Sequence, residues 1–256
     1  MSNLSGRTII STKPLSDEDY MKDYFISRSA NYLWMPLIEI LPSRESENIK
    51  YIFQNLENFD WVLFTSKNGV EYFFRYFHSL QHNNKFPEKI KLAAIGDRTA
   101  LELQKFGFTP DFISNGTTSK EFLRNIIIKY DLNGKKILLA LGELAKNTLE
   151  AGLQGIAEVT RINVYRTVPI ENYSKEIIHK IKSDNYDIII FTSPSGFEHF
   201  LDIAKIEGIG REIKFACIGT TTCESALNQG YKPLLVSSKP DGLIFAQEIE
   251  ELLLKN

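Results

Sequence analysis

The sequence predicts an α/β protein with two similar lobes, each a parallel sheet flanked by helices, joined by a two-stranded hinge. Two observations predict this fold. Short apolar runs of strand length alternate with segments of helical period along all 256 residues, a pattern typical of parallel sheets covered on both faces. In addition, three segments of the chain recur later in the same order, which indicates duplicated domains.

Ten segments have the length and composition of strands. The segments between them carry apolar residues at helical spacing, as at Ile49, Ile52 and Phe53. Runs such as "DIIIFT" (187–192) contain four consecutive apolar residues, 188–191, which indicates burial on both faces. The predicted strands are residues 8–12, 37–40, 61–65, 91–95, 111–114, 136–140, 159–166, 187–192, 214–218 and 233–237.

The repeated segments define the lobes. "FDWVLFTSKNGVEYF" (59–73) resembles "YDIIIFTSPSGFEHF" (186–200), and "AIGDRTALELQKFGFTP" (94–110) returns as "CIGTTTCESALNQGYKP" (217–233). A weaker third pair joins "GRTIISTKPLS" (6–16) to "GKKILLALGEL" (134–144). Along the chain the third segment comes first in each round of the repeat, and two lobes of one design explain this order.

The lobes are predicted to be discontinuous in sequence. Two strand-like passages, near residues 33–40 and 161–169, follow the copies of the third segment and are predicted to be the crossings between lobes. The inserted lobe then comprises residues 38–167, and the outer lobe combines 1–37 with 168–256. A division into two halves would cut a repeat unit. A ligand is expected in the cleft between lobes that are joined by two thin connections.

Composition limits the kinds of binding partner and the cellular compartment that are expected for this protein. The net charge is −2, from 30 basic and 32 acidic residues, so no global field attracts nucleic acid or an anionic membrane. The N-terminus lacks the pattern of a signal peptide, and no apolar run is long enough to span a bilayer. We therefore expect a cytoplasmic protein, and a monomer because no oligomerisation signal is present.

Polar residues gather where predicted strands pass into helices. In parallel α/β sheets, ligands bind at the carboxyl ends of the strands, and helix N-termini bind anions through unpaired amides. Ser, Thr and Asn are also ordinary helix N-cap residues, so a single junction is more readily explained as a structural cap, and only the repeated set favours a ligand site. The candidate binding residues at the four repeated junctions are Ser66, Lys67, Asn68, Thr99, Ser193, Ser195, Gly196, Thr221 and Thr222.

Other chemistries lack their sequence signals. No dinucleotide-binding G-x-G-x-x-G, no phosphate-binding G-x-x-x-x-G-K-[ST] and no G-x-S-x-G nucleophile motif occurs. His78 and His82 have the spacing of a metal pair on a helix but lack the accompanying Glu motif. No metal site is predicted.

The paired Phe-Thr-Ser junctions, the paired Ile-Gly-x-x-Thr segments and "INVYRTVP" (162–169) together resemble the uroporphyrinogen-III synthase family. The resemblance extends from "TIISTKPL" (8–15) to "PDGLIFAQEI" (240–249). It implies two α/β lobes joined by a two-stranded linker. It also implies cyclisation of hydroxymethylbilane, a linear tetrapyrrole with eight carboxylates, to uroporphyrinogen III. The last pyrrole ring is inverted and water is lost, without a cofactor or a metal.

The resemblance assigns roles to particular residues. Tyr165 matches the family's tyrosine and is implied to assist departure of the substrate hydroxyl through a hydrogen bond; the alternative is a linker tyrosine that only packs on a lobe. Ser66, Ser193, Thr99 and Thr222 match the family's Ser and Thr, and are implied to bind the acetate and propionate groups, chiefly through nearby backbone amides. Charge-assisted contacts are expected from Lys13, Lys67, Arg98, Lys146 and Lys239.

Lysine replaces arginine at two of these positions. The family commonly has Thr-Arg-Pro where this chain has Thr12-Lys13-Pro14, and Arg where it has Lys146. Lysine cannot grip a carboxylate with two parallel hydrogen bonds, so the grip on the substrate is expected to differ at these positions.

Two other functions remain open from the sequence. One is a non-catalytic two-lobed small-molecule binder or regulator of the same fold, because backbone amides are supplied by any sequence. The other is a nucleotide-sugar transferase, which would need a Gly-rich loop that does not stand out here. For the synthase, the substrate is the expected partner, and a transient contact with hydroxymethylbilane synthase is possible.

Overall fold

The computed structural model describes residues 3–14, 20–80, 85–114 and 118–255. The chain divides into two compact units. The outer unit comprises Met1–Glu39 with Val168–Asn256, and the inserted unit is Ile40–Thr167. Each unit contains its own sheet, of five strands in the outer unit and six in the inserted one. The predicted α/β fold with two helix-flanked parallel sheets is confirmed.

Strands and helices alternate along the described part of the chain. The strands are β1 (Thr8–Ser11), β2 (Asn31–Trp34), β3 (Ile38–Pro42), β4 (Trp61–Phe64), β5 (Lys91–Ile95), β6 (Phe112–Ser114), β7 (Lys136–Gly142), β8 (Glu158–Pro169), β9 (Ile188–Phe191), β10 (Phe215–Cys217) and β11 (Leu235–Val236). The α-helices are α1 (Tyr20–Ser27), α2 (Glu47–Gln54), α3 (Lys67–Leu80), α4 (Gly96–Lys105), α5 (Ser119–Lys129), α6 (Thr148–Leu153), α7 (Lys175–Lys182), α8 (Pro194–Glu207), α9 (Thr220–Asn228) and α10 (Gly242–Lys255). None of these helices has the length and apolar composition needed to cross a membrane.

The two sheets have the same strand order. The outer sheet runs β11-β10-β9-β1-β2, and the inserted sheet, taken from its other edge, runs β6-β5-β4-β7-β8 and then β3. All neighbouring pairs among the first five strands of each sheet are parallel. Each repeated sequence segment therefore contributes a strand at an equivalent place, and β3 is an addition to the inserted sheet.

The central strands are buried on both faces, as the apolar runs predict. Val62 and Phe64 of β4 enter a core with α2, α3 and α4, whereas Trp61 and Leu63 enter a second core with α5 and α6. The residues of β9 alternate likewise between a core with α7, α8 and α9 and a core with α1 and α10. Side chains of successive strand residues point to opposite faces, so one apolar strand supplies both cores.

The repeat extends to the way helices end. Gly107 follows α4 and Gly230 follows α9, with φ of +85° and +81°, a left-handed conformation that glycine adopts without steric cost. In both, the amide of the residue after the glycine bonds back into the helix, to the Leu103 carbonyl and the Ala226 carbonyl, at 3.0 Å.

One strand was not predicted from the sequence. The passage near residues 33–40 was interpreted as one crossing, but β2 (Asn31–Trp34) belongs to the outer sheet and β3 (Ile38–Pro42) to the inserted sheet. β2 is an edge strand with no fully buried residue, so its sequence lacks the apolar pattern of the central strands. Pro36 separates the two strands because it has no amide to donate to a sheet.

A buried carboxylate joins the two helices on one face of the outer sheet. Glu250 of α10 is 7% exposed and accepts hydrogen bonds from Arg28 Nε, at 2.9 Å, and from the Tyr24 hydroxyl of α1. Burial, followed by the hydrogen bond to Glu250 and the charge of that carboxylate, raises the pKa of Tyr24 from 10.0 to about 12.

We expect the substitution Phe64→Ala to lower the free energy of unfolding by about 3–5 kcal/mol, because a fully buried ring is replaced by a cavity. Urea denaturation followed by far-UV circular dichroism measures the change. Tyr51→Ala is the control, since that side chain is 65% exposed and should shift the midpoint little. Equal midpoints for Phe64→Ala and wild type would contradict the assigned core.

We expect the stability of the protein to fall between about pH 10 and pH 12 as Tyr24 ionises. The folded-state pKa lies above the unfolded value, so the contribution is complete below pH 10 and is lost as pH rises through the folded pKa. Urea midpoints measured from pH 8 to 12 should show a smaller alkaline decline in Tyr24→Phe. Identical pH dependence in the two proteins would contradict this assignment.

Candidate functional site at the carboxyl ends of the strands

The inserted sheet has a topological switch point between β4 and β7. From β4 the chain proceeds outward to β5 and β6 on one side, whereas β7 and β8 lie on the other side. Ligands of open α/β sheets bind beyond the carboxyl ends of strands at such a point, because the two connections diverge and leave a crevice. Ser66 follows β4 and Gly142 ends β7, so these residues flank the switch point.

Tyr165 reaches the switch point from β8. Its hydroxyl oxygen lies 3.2 Å from Ser66 Oγ, at hydrogen-bond distance. Its ring passes over Gly142: a Cβ at that position would lie 2.6 Å from Cε2 and 2.7 Å from the hydroxyl oxygen. Tyr72 packs beside it, with ring centroids 6.0 Å apart. The ring therefore crosses β7 only because residue 142 has no side chain.

An irregularity in β8 directs this side chain. Opposite β7 the register passes from the pair Leu141 and Asn163 to the pair Gly142 and Tyr165, so Val164 is an extra residue in β8. Val164 and Tyr165 both contact the core that contains α3, which strict alternation along a strand would not allow. Such bulges re-aim side chains next to functional sites.

The two Phe-Thr-Ser junctions have the same local geometry. Ser66 Oγ accepts the amide hydrogen of Gly69 at 3.0 Å, and Ser193 Oγ accepts that of Gly196 at 3.1 Å. Each serine thereby caps the first turn of a 14-residue helix, α3 or α8. Asn68 is half-buried in α3, and Lys67 beside it is exposed.

The carboxyl end of β7 is held by Arg161, a residue that the sequence analysis did not select. Its guanidinium donates to the Gly142 carbonyl at 3.1 Å, to Glu150 Oε1 at 2.8 Å and to Asn163 Oδ1 at 2.8 Å. Arg161 and Asn163 are polar residues two apart in a predicted strand, which places them on one face of it. That spacing of polar residues in a predicted strand is the sequence signal that could have identified Arg161.

The outer sheet has its switch point between β1 and β9. Thr12 follows β1, and its amide and hydroxyl both donate to the Ile190 carbonyl of β9, at 3.2 and 2.8 Å. The next residue, Lys13, is half-buried, and its carbonyl accepts the Trp34 indole hydrogen at 2.9 Å. Ser193 follows β9, with its Oγ 3.4 Å from Ser195 Oγ. The outer unit therefore brings Lys13, Ser193, Ser195 and Gly196 to its own switch point.

The Ile-Gly-x-x-Thr segments place their threonines differently from the serines. Thr99 in α4 is 3% exposed and Thr222 in α9 is 1% exposed, whereas Thr221 is exposed. Both threonine side chains are therefore packed inside the unit to which their helix belongs. At these junctions the backbone amides at the starts of α4 and α9 are the groups that remain for an anion.

Basic residues follow the carboxyl ends of strands in both units. Arg98, Lys146 and Lys239 are exposed, as is Lys67. Arg166 follows Tyr165 in β8 and was not among the predicted site residues; its Nε is buried and has no hydrogen-bond partner among the described residues. The positive groups are local, in accord with a chain whose net charge is only −2.

No group of three or more His, Cys, Asp or Glu side chains in the described ranges is arranged to hold a metal ion. His78 lies in α3, and His82, its predicted partner in spacing, lies outside the described residues.

Comparison with known proteins agrees with this architecture. A family model described as uroporphyrinogen-III synthase HemD matches residues 19–242. The porphyrin biosynthesis protein HemD of Ruminiclostridium josui is 27% identical over 225 residues, which are 87% of this chain and 44% of that protein. The chain thus spans less than half the length of that relative.

Two solved structures share the fold. A mutant uroporphyrinogen III synthase from Thermus thermophilus aligns with a TM-score of 0.70 at 18% identity, over 98% of this chain and 100% of that one. The enzyme from Helicobacter pylori aligns with a TM-score of 0.63 at 21% identity, over 96% and 99%. With a family match that covers most of its length, the chain belongs to the uroporphyrinogen-III synthase family.

Proposed function

We propose that this chain is a carbon–oxygen lyase of porphyrin biosynthesis that cyclises hydroxymethylbilane to uroporphyrinogen III. The family match over residues 19–242 is the observation that carries the proposal. The contact between Tyr165 and Ser66 across Gly142 supports it, because it places a phenol at a switch point where a ligand is expected.

The reaction needs orientation more than covalent chemistry. The terminal carbon–oxygen bond of the bilane breaks with help from the adjacent pyrrole nitrogen, and the hydroxyl leaves as water once it gains a proton. The cation that remains closes without inversion when the chain is free. Attack by the substituted carbon of the last ring, through a spiro intermediate, requires the chain to be held folded. Holding reacting atoms in place is a large source of rate enhancement.

Tyr165 is proposed to assist departure of the hydroxyl. A phenol has a reference pKa of about 10 and is a weak acid, so a hydrogen bond to the departing oxygen suits it better than complete proton transfer. The strand irregularity and the missing side chain at Gly142 allow its hydroxyl to reach Ser66, which follows β4.

The strand–helix junctions are proposed to bind the carboxylates. The residues concerned are at the N-termini of α3, α4, α8 and α9, whose free amides and dipoles favour anions. Exposed cations near these ends add charge-assisted contacts. The proposed binding residues are Lys13, Ser66, Lys67, Asn68, Thr99, Ser193, Ser195, Gly196, Thr221 and Thr222.

The domain assignment is also a proposal. Residues 1–37 with 168–256 are proposed to form one domain, and 38–167 an inserted one. The division of the chain into compact units at Glu39/Ile40 and Thr167/Val168 supports this assignment. We further propose a cytoplasmic monomer that contacts hydroxymethylbilane synthase transiently to receive its unstable substrate; light scattering of the purified protein, alone and with that enzyme, tests both the monomeric state and the contact.

We expect the protein to convert hydroxymethylbilane, generated in situ, into the type III isomer. Oxidation of the products to porphyrins and chromatographic separation of the isomers measures the outcome. A sample without protein and one with heat-denatured protein should give type I, which forms spontaneously. Type I alone in the presence of folded protein would overturn the proposed activity and favour the non-catalytic binder.

We expect Tyr165→Phe to lower kcat about 10- to 100-fold with little change in KM, because one hydrogen bond to developing charge is lost. The ring and its packing over Gly142 are kept. Tyr72→Phe is the matched control: it removes a neighbouring phenol that donates to the Ile40 carbonyl at 2.8 Å. An unchanged kcat in Tyr165→Phe would remove this residue from the catalytic site.

A further inference from the structure

The direction of the hydrogen bond between Ser66 and Tyr165 decides where the phenol proton points. The two oxygens are 3.2 Å apart, and their distance alone allows either to donate. A serine hydroxyl has one hydrogen to donate and two lone pairs that accept. The amide of Gly69 already donates to Ser66 Oγ at 3.0 Å. Ser66 keeps its hydrogen and one further lone pair for the Tyr165 hydroxyl, and only the contact in which Ser66 donates leaves the phenol hydrogen available to a substrate.

The helix that Ser66 caps favours this direction. A hydroxyl that accepts a hydrogen bond becomes a stronger donor, because the two bonds polarise each other. The amide of Gly69 belongs to the positive N-terminus of α3, a helix of 14 residues. Both effects favour Ser66 as the donor and the Tyr165 oxygen as the acceptor.

We propose that Ser66 is a positioning residue that donates to the Tyr165 oxygen and so turns the phenol proton away from the protein, toward the leaving hydroxyl of the substrate. This inference rests on the proposed function and replaces a purely carboxylate-binding role for Ser66. Tyr165 then arrives at the reaction as a donor whose proton is already directed, and Ser66 does not compete for it as an acceptor.

The backbone beneath the Tyr165 ring also holds the phenol beside Ser66. Tyr165 reaches Ser66 only by crossing Gly142, where a Cβ would lie 2.7 Å from its hydroxyl oxygen. Gly142 is in turn fixed by Arg161, which donates to its carbonyl at 3.1 Å. The ring is thus confined from below by the backbone of β7 and at its tip by Ser66.

The outer unit shows that a serine can cap its helix without a tyrosine as its hydrogen-bond partner. Ser193 accepts the amide hydrogen of Gly196 at 3.1 Å, as Ser66 does for Gly69. Its side-chain neighbour, however, is the hydroxyl of Ser195 at 3.4 Å. The same cap therefore exists in both units, and among the residues that the structure describes a tyrosine hydroxyl joins it only in the inserted unit.

The test compares Ser66→Ala with Ser46→Ala, which removes an equivalent cap at the start of α2, where Ser46 Oγ accepts from the Ile49 amide at 3.2 Å. We expect Ser66→Ala to lower kcat about 10-fold, the equivalent of one hydrogen bond, with KM nearly unchanged. Ser66→Thr should restore kcat because it keeps the hydroxyl. Ser46→Ala should leave kcat near wild type.

A double variant separates positioning from other roles. In the Tyr165→Phe background, Ser66→Ala should lower kcat no further, because the phenol it positions is gone. An equal additional loss in that background would overturn the proposal. A raised KM with unchanged kcat in Ser66→Ala would also overturn it, and would return Ser66 to substrate binding.

A second variant tests the close packing of the Tyr165 ring on Gly142. Gly142→Ala should displace the ring and lower kcat at least as far as Tyr165→Phe does, while circular dichroism shows that the protein is folded. A folded Gly142→Ala protein with wild-type kcat would contradict the confinement of the ring.

A spectroscopic measurement is independent of turnover. In protein labelled with ¹³Cζ-tyrosine, the resonance of Tyr165 is identified by its loss in Tyr165→Phe. The chemical shift of this resonance should change in Ser66→Ala and remain unchanged in Ser46→Ala. An unchanged chemical shift in Ser66→Ala would contradict the hydrogen bond between Ser66 and Tyr165, whichever isomer the protein produces. A shift in a protein that makes only type I product would instead overturn the proposed function, and with it the catalytic use of the bond.

Discussion

The structure depends on central strands that must be covered on both faces. All four residues of β4 and all four of β9 are buried, so each sheet requires helices on either side. Parallel strands connected by helices satisfy this requirement and bring every strand's carboxyl end to one edge. The chain has only Thr65 and Ser66 in which to turn from β4 into α3. A cap at Ser66 follows from this short turn, because the first helical amides would otherwise lack a partner.

Much of the fold could be predicted because burial leaves a periodic trace in the sequence. Apolar runs located the central strands, and the repeated segments indicated equivalent strands in two units, which the matching sheet orders confirm. The edge strand β2 left no such trace, since half-exposed positions tolerate many residue types. The other strands at sheet edges, β3, β6 and β11, overlap predicted segments, so β2 is the exception among them.

The site could be predicted only in part, for a different reason. The serines at residues 66 and 193 were identified because a junction is local in sequence and its motif is repeated. The approach of Tyr165 to Ser66 spans 99 positions and depends on an extra residue in β8 and on a missing Cβ at Gly142. Neither feature is visible in residue periodicity. The resemblance to the family named Tyr165, but the packing that directs its hydroxyl is a property of the folded chain.

The same repeat explains why the chemistry is proposed for one unit only. The third pair of repeated segments aligns Gly142 with Pro14 and Ala140 with Thr12. In the outer unit, the Thr12 hydroxyl donates to the Ile190 carbonyl. Residue 14 is a proline, whereas the inserted unit has at the aligned position the glycine that the Tyr165 ring covers. The aromatic side chain at the end of the neighbouring strand, Trp34 of β2, donates from its indole to the Lys13 carbonyl. Both units have the same serine cap at the strand end, so the difference between them lies in the group beside the serine. In the outer unit that group is the Ser195 hydroxyl, whereas in the inserted unit it is the Tyr165 hydroxyl, which is the group proposed to assist the reaction.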